Sequence, residues 1–172
     1  MSIDSVRAFL NERAPDVVVI DQTASTATVA EAALALGVEP ARIAKTIALK
    51  SGDTLLLIVA RGDARIDNRK FKTRFGQRPR MLDAETTERM TGHPVGGVCP
   101  FGLATALPIY CDVSIEAFDS IFPAAGSRTA SVELNPARLA EITGAEWVDV
   151  CVVPEAGPVH APFDAQPPVC TE

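Results

Sequence analysis

Residues 44–60, AKTIALKSGDTLLLIVA, contain two strand-like runs joined by a short turn. The runs are residues 44–50 and 54–60, and Ser51-Gly52-Asp53 between them has the composition of a tight connection. This pattern predicts a β-hairpin. The second arm, TLLLIVA, is apolar on both faces, which is typical of a strand in the middle of a sheet that is covered on both sides.

Elements on either side of the hairpin follow from apolar spacing and from the residues that begin and end helices. Helices are predicted over residues 2–13, 29–36, 67–75, 83–91 and 135–144, and strands over residues 17–20, 107–111, 120–124, 130–134 and 147–152. Since strands and helices do not alternate strictly, the order predicts a single α+β domain over residues 1–153. Five of the 19 residues from 154 to 172 are proline, which predicts an extended C-terminal tail.

The composition excludes several classes of protein. Of 172 residues, 47% are hydrophobic and 22% are charged, which is typical of a globular domain. The most apolar region, residues 95–111, is interrupted by glycines and prolines, so no membrane span is expected. The start, MSIDSVRAFL, lacks the pattern of a signal peptide, and the four cysteines have no CxxC spacing. We therefore expect a cytoplasmic protein with buried thiols and no disulfide framework.

Basic residues are concentrated in one segment of an acidic chain. The net charge is −6, yet residues 61–80 hold eight of the 16 basic residues and two acids. Four of these cations lie within six residues of the predicted third helix: Arg69, Lys70, Lys72 and Arg74. The segment is interpreted as a surface that contacts phosphates, with an ordinary solvated helix face as the alternative.

Lys45 is in phase with Ile47 and Leu49 in the first arm of the hairpin, so it faces the same side as apolar residues. An ammonium group on a half-buried surface is costly unless an anion or several acceptors meet it. Lys45 is therefore a candidate ligand-binding residue. The alternative is a lysine whose side chain reaches past the apolar surface to water.

Residues 91–103, TGHPVGGVCPFGL, are too rich in glycine and proline for regular structure. Adjacent glycines let backbone N–H groups approach a ligand closely, which is how an anion or a developing oxyanion is held. An ordinary tight connection is the alternative. A second glycine turn, AAGSR at residues 124–128, is interpreted as another wall of the same pocket.

Conventional catalytic groups are few. The histidines are His93 and His160, and Cys99 with His93 as its base lacks a third residue to orient the histidine. A metal site built from the cysteines and His93 would lack the close-spaced ligand pairs typical of zinc.

Three segments, taken in order along the chain, resemble one protein family. They are AKTIAL with Lys45, the TGHPVGGVCPFGL loop, and AAGSR followed by a helix that Asn135-Pro136 opens. Together they are similar to the YbaK/ProX family of aminoacyl-tRNA deacylases, which is related to the editing domain inserted in bacterial prolyl-tRNA synthetases. The similarity extends from about residue 17 to residue 144.

The resemblance implies an α+β domain with a curved, mixed β-sheet flanked by helices, and a pocket that receives the aminoacyl-adenosine end of a mischarged tRNA. The implied catalytic groups are the Lys45 side chain and the loop backbone at Gly96, Gly97, Val98 and Cys99. Further candidates for binding the substrate are Thr28, Val29, Pro100, Phe101, Gly126, Ser127 and Ser131. The helix cations Arg69, Lys70, Lys72 and Arg74 would hold the tRNA.

The reaction implied is hydrolysis of an ester that carries a small amino acid of the alanine, serine or cysteine class. Because such an ester is already activated, no cofactor or metal is expected. Mischarged tRNA is the expected partner, with an aminoacyl-tRNA synthetase as a further one. The alternatives are a non-catalytic module of the same fold that binds tRNA ends or a synthetase, and a hydrolase that uses the Cys99 thiol.

Overall fold

The computed structural model describes residues 2–155, and the elements below are those of that range. The α-helices are α1 (Ser2–Arg13), α2 (Val29–Leu36), α3 (Asn68–Phe75), α4 (Ala84–Thr91) and α5 (Pro136–Thr143). The strands are β1 (Val19–Asp21), β2 (Ile43–Ser51), β3 (Thr54–Arg61), β4 (Arg65–Ile66), β5 (Arg80–Met81), β6 (Ile109–Asp112), β7 (Phe122–Pro123), β8 (Ala130–Val132), β9 (Glu146–Val148) and β10 (Cys151–Val152). The predicted tail, 154–172, lies outside the described residues apart from Pro154 and Glu155, as do His160 and Cys170.

The predicted helices are confirmed to within a residue or two, because their ends are defined by local signals. Helices α2 to α5 each begin after a side chain that accepts a hydrogen bond from the first turn: Thr28, Asp67, Asp83 and Asn135. Each of the four ends at a glycine with a left-handed backbone: Gly37, Gly76, Gly92 and Gly144.

The main sheet is mixed and has six strands, in the order β5-β2-β3-β6-β9, with β7 also paired to β2. The predicted hairpin is confirmed: β2 and β3 pair antiparallel from Ala44 opposite Arg61 to Ser51 opposite Thr54. Strands β3, β6 and β9 are parallel to one another. Two small antiparallel ladders, β1 with β8 and β4 with β10, complete an α+β fold as predicted.

The strand predicted over residues 147–152 is wrong as a single element. The carboxylate of buried Asp112 accepts hydrogen bonds from the backbone N–H groups of Val150 and Cys151, so the chain leaves the sheet there. It continues as two strands, β9 beside β6 and β10 beside β4. Strands β4 and β5 have two residues each and were not predicted.

Strand β3 lies at the centre of the fold, with a hydrophobic cluster on each face. Val59 belongs to the cluster that also contains Leu10 of α1 and Leu139 of α5. Ile58 belongs to the opposite cluster, which Phe71 of α3 joins. The prediction that this strand is covered on both sides is confirmed. Within residues 2–155, no helix is long and apolar enough to cross a bilayer.

Candidate functional site

Strand β2 has a gap along its outer edge. Strand β7 pairs with β2 at Ile43 and Ala44, and β5 pairs with it at Leu49 and Lys50. The Ala48 carbonyl accepts a hydrogen bond from the Leu82 N–H on this edge, at 3.3 Å. Because backbone groups of alternate residues face the same edge of a strand, the N–H and C=O of Thr46 also face the gap.

A cavity of about 270 Å³ lies at this gap. Its walls come from β2, from the segment before α2, from the glycine loop, and from residues near β5 and β7. The lining residues are Thr26, Ala27, Thr28, Val29, Ala32, Ile43, Ala44, Lys45, Thr46, Ile47, Ala48, Met81, Leu82, Thr87, Val95, Gly96, Val98, Phe122, Ala124 and Ser131. Most of these side chains are apolar, so the few polar groups among them determine what the cavity can recognise.

Thr46 supplies an unusual polar group to this cavity. Its hydroxyl oxygen is buried and has no hydrogen-bond partner among the described residues. Burying a hydroxyl without a partner is unfavourable, and such groups in native proteins require an explanation. Thr46 is among the residues that line the cavity, so a ligand held there is one candidate partner for this hydroxyl.

Lys45 also lines the cavity, and its ammonium group is held by the protein. It donates one hydrogen bond to the Gly62 carbonyl, at 3.1 Å, and another to the Ala64 carbonyl. Burial lowers the pKa of this ammonium group below its usual value, although Cys151 and Asp63 act in the opposite direction. Of its three N–H donors, one therefore remains for a ligand.

Two adjacent glycines fix the path of the loop over residues 91–103. Gly96 has a φ of +95° and packs so closely against Ala27 that a Cβ atom would lie 2.9 Å from the Ala27 side chain. At Gly97 a Cβ atom would lie 2.7 Å from the Ser127 backbone. The loop is thereby wedged between the segment before α2 and the AAGSR turn, with Gly96 in the cavity wall.

The structure brings together six of the residues predicted to catalyse or to bind the substrate, and leaves six outside the cavity wall. Those that line the cavity are Lys45, Gly96, Val98, Thr28, Val29 and Ser131. Those that do not line it are Gly97, Cys99, Pro100, Phe101, Gly126 and Ser127.

Gly97 and Gly126 form backbone hydrogen bonds that hold the loop in place. The Gly97 N–H donates to the Pro94 carbonyl at 2.8 Å, so this amide is already used, which corrects its assignment as an oxyanion donor. The Gly97 carbonyl in turn accepts from the Gly126 N–H at 3.1 Å. The AAGSR turn therefore braces the loop and contributes Ala124 to the cavity wall. Gly126 and Ser127 do not line the cavity, and their role in substrate binding stays a prediction.

The structure does not favour the alternative in which the Cys99 thiol is the nucleophile. Cys99 is fully buried, and burial raises the pKa of its thiol to about 12, so the nucleophilic thiolate is scarce near neutral pH. The Cys99 Sγ is 3.7 Å from the Phe101 carbonyl oxygen, and the ring of His93 bonds this same carbonyl and the Ser2 hydroxyl. His93 is thus a structural residue that anchors α1 to the loop.

The cysteines and the acidic groups form no metal centre in the part of the chain that is described. No three His, Cys, Asp or Glu side chains within residues 2–155 lie together as a metal site requires. Cys99, Cys111 and Cys151 are buried free thiols, as expected from the sequence.

The basic helix α3 uses two of its cations within the protein. The Lys70 ammonium lies 2.8 Å from Asp149, and the Arg74 guanidinium lies 3.2 Å from Glu146. Arg69 and Lys72 are exposed, and neither forms an ion pair within residues 2–155. The proposed tRNA-binding role of the helix therefore stays a prediction, and it is better supported for Lys72 than for Lys70.

Sequence reasoning did not identify three residues that line the cavity: Thr46, Met81 of β5, and Leu82, which follows β5. Thr46 is adjacent to Lys45, so its side chain leaves the strand on the opposite face. The apolar alternation that singled out Lys45 therefore did not include Thr46. The only signal in the sequence was its place beside a half-buried lysine. The gap itself depends on pairings with residues about 30 and 80 positions away.

Comparisons with known proteins find similar sequences and a similar fold. The family model of the aminoacyl-tRNA editing domain matches residues 23–142. The uncharacterized protein YwhH of Bacillus subtilis (strain 168) is 44% identical over 153 residues, which are 88% of this chain and 98% of that protein. EbsC of Enterococcus faecalis (strain ATCC 700802 / V583), whose name describes a candidate Cys-tRNA(Pro)/Cys-tRNA(Cys) deacylase, is 28% identical over 67% of this chain and 71% of its own length. A crystal structure described as a candidate trans-editing enzyme for prolyl-tRNA synthetase superposes with a TM-score of 0.80 at 31% identity, covering 87% of this chain and 96% of that one.

Proposed function

The chain belongs to the family of aminoacyl-tRNA editing domains, and from this premise we propose that it hydrolyses the ester of mischarged tRNAs that carry a small amino acid. The observation that carries the proposal is the cavity at the gap of β2. Lys45, Thr46 and Gly96 all line this cavity. The family match covers the elements that build these walls.

The reaction needs little chemical assistance from side chains. A water oxygen attacks the ester carbonyl carbon, the bond to the ribose oxygen breaks, and that oxygen takes up a proton as the 3′ end of the tRNA is released. An aminoacyl ester is an activated acyl group, so positioning the water and polarising the carbonyl are the main requirements. This accounts for a site without a nucleophilic thiol.

Thr46 is suited to hold both ends of the aminoacyl group. Its backbone N–H faces the gap and can donate to the ester carbonyl, where negative charge develops during attack. Its backbone C=O faces the same gap and can accept from the substrate's α-ammonium group. Removal of one oxyanion donor from an acyl-transfer site typically costs about 3 kcal/mol, so a single fixed amide is a substantial contribution.

Lys45 would position the substrate through its remaining N–H. Two backbone carbonyls fix the ammonium group, so its third proton points in a direction set by the fold. A Lys45→Ala variant should therefore lower kcat/KM for deacylation. If this variant deacylates mischarged tRNA at the wild-type rate, Lys45 has no role in binding or hydrolysis.

The size and lining of the cavity support the proposed substrate class. A volume of about 270 Å³ is below the range of roughly 300 to 1000 Å³ that is usual for ligand sites. Its walls include several alanines, and apart from Lys45 the polar groups are hydroxyls and backbone atoms. This favours alanine, serine or cysteine over a bulky or charged side chain. The naming of a relative for Cys-tRNA(Pro) supports the cysteine member of this class.

The mischarged tRNA is the proposed partner through its acceptor end. The similarity to a structure described as a candidate trans-editing enzyme for prolyl-tRNA synthetase supports an action on tRNAs charged by that synthetase. We propose that this chain acts on the released tRNA as a separate protein.

A deacylation panel tests the proposal. The purified protein, at catalytic concentration, is incubated with tRNA(Pro) charged with alanine, serine, cysteine, proline or phenylalanine, and the released amino acid is measured against buffer alone. We expect multiple turnovers on at least one small amino acid and none on a bulky one such as phenylalanine. Binding of charged tRNA without release of amino acid on any substrate would instead support the non-catalytic module.

A further inference from the structure

A basic depression lies on the other side of β5 from the cavity. It has a volume of about 490 Å³ and lies between the turn of the β2–β3 hairpin and the residues that follow α3. Four cationic side chains line it together with one acid: Lys50, Lys72, Arg78, Arg80 and Asp53.

These cations are largely unneutralised within the described part of the chain. Lys72, Arg78 and Arg80 are exposed and form no ion pair among residues 2–155. Lys50 lies 3.9 Å from Asp53, which is a long and exposed contact. In contrast, Lys70 and Arg74 of α3 are paired with Asp149 and Glu146. Within the described residues, Arg69 is therefore the one cation of α3 that lies outside the depression and has no ion-pair partner.

The depression and the cavity meet at β5. Arg80 faces the depression, and Met81, the next residue, lines the cavity. Met81 is 71% exposed, and Val95 on the glycine loop, which also lines the cavity, is 49% exposed. Two exposed apolar side chains at a cavity wall provide a surface on which a flat aromatic ring can lie.

We propose that the depression binds the phosphodiester backbone of the nucleotides that precede the aminoacylated adenosine, with the terminal adenine against Met81 and Val95. This inference rests on the proposed function, because that function places the ester in the cavity. The four cations come from three segments of the chain and surround an open depression, which fits a run of phosphates better than one isolated phosphate. The basic surface predicted on helix α3 is thereby shifted to the residues after it.

The test compares two double variants that remove the same charge. Arg78→Ala/Arg80→Ala removes two cations of the depression, and Arg13→Ala/Arg89→Ala removes two exposed arginines elsewhere. Three measurements are made at several salt concentrations: deacylation of mischarged tRNA, hydrolysis of the aminoacyl ester of adenosine alone, and fluorescence anisotropy with an uncharged acceptor-stem minihelix.

For the depression variant we expect KM for mischarged tRNA to rise about tenfold with little change in kcat. The slope of log affinity against log salt should become shallower by about 1.4, since each lost contact to a single-stranded phosphate removes roughly 0.7. Hydrolysis of the adenosine ester should not change, because that substrate lacks the phosphates. The matched control should behave as the wild type in all three measurements.

An equal effect in the control variant, or no change in KM and salt slope, would overturn the inference. A fall in adenosine-ester hydrolysis as large as the fall with tRNA would also overturn it, because the loss would then lie in the cavity. If the wild type hydrolyses neither ester, the proposed function fails. The minihelix affinity then still decides the inference: a loss confined to Arg78→Ala/Arg80→Ala supports a phosphate-binding depression, and an unchanged affinity refutes it.

Discussion

Replacing Thr46 by valine removes the buried, unpartnered hydroxyl and keeps the shape of the side chain. A buried residue that serves only the fold loses stability when its hydrogen bonds are removed. Thr46 has no hydrogen bond to lose among the described residues. We therefore expect Thr46→Val to change stability and activity in opposite directions.

The magnitudes follow from the state of the hydroxyl. Burying an unsatisfied hydroxyl costs about 1 to 3 kcal/mol, so its removal should leave the free energy of unfolding unchanged or raise it by up to about 2 kcal/mol. In a chain of this length, about 1 kcal/mol corresponds to roughly 2 to 4 °C in Tm. A hydrogen bond from the substrate is worth about 1 kcal/mol, so kcat/KM for deacylation should fall about fivefold to tenfold.

Thr91→Val is the matched control. The Thr91 hydroxyl is buried, donates to the Thr87 carbonyl at 2.7 Å and accepts from the His93 N–H at 3.1 Å. Its removal leaves a buried N–H without that acceptor, so Tm should fall, by an amount that corresponds to about 1 to 3 kcal/mol.

The assay combines thermal unfolding with deacylation kinetics on the best substrate of the panel. The reasoning about Thr46 is refuted if Thr46→Val loses stability as Thr91→Val does, or if its kcat/KM equals that of the wild type. Either result would mean that the hydroxyl does not meet the substrate.

Further predictions concern the loop and its surroundings. Cys99→Ala should retain kcat within about twofold while losing about 1 kcal/mol of stability, because the thiol only packs in the core; loss of all turnover, with the fold intact, would restore the thiol mechanism. Val98→Phe should lower kcat/KM for small substrates about tenfold by filling the cavity, and unchanged kinetics would remove Val98 from the substrate site. Burial lowers the pKa of His93 below 6.5, so the unfolded chain binds this proton more readily. The stability that His93 contributes should thus be complete above pH 6.5 and decrease as the pH falls through the lower folded pKa. Thermal unfolding between pH 7.5 and 5.5 measures this decrease. The His93→Gln variant should lack it, and the control variant His160→Gln should retain it.

The helices and the hairpin were predictable because they depend on neighbours in the sequence. Asp67 and Gly76 define α3 within ten positions, and Ser51-Gly52-Asp53 fixes the register of β2 against β3. The single predicted strand after residue 146 failed for the opposite reason. Its interruption is caused by Asp112, 38 residues away from Val150, whose carboxylate competes with the sheet for backbone N–H groups.

The site was predictable only in part. Lys45 could be singled out because a charged residue that alternates with apolar ones is easy to recognise in the sequence. Gly96 could be singled out because it is one of two adjacent glycines. Thr46 was missed because its importance comes from the gap between β5 and β7, which is set by long-range pairing. The same limit applied to α3, where the partners of Lys70 and Arg74 lie more than 70 residues away.

The central claim is that the aminoacyl group of the substrate lies in the gap of β2. The most direct test is a crystal structure of the protein with a non-hydrolysable amide analogue of alanyl-adenosine. The predicted result places the acyl carbonyl within hydrogen-bond distance of the Thr46 backbone and the α-amino group on the same edge of β2, with the Thr46 hydroxyl contacting the ligand. The claim would be contradicted if the protein deacylates tRNA but binds the analogue at another site and leaves this cavity unchanged.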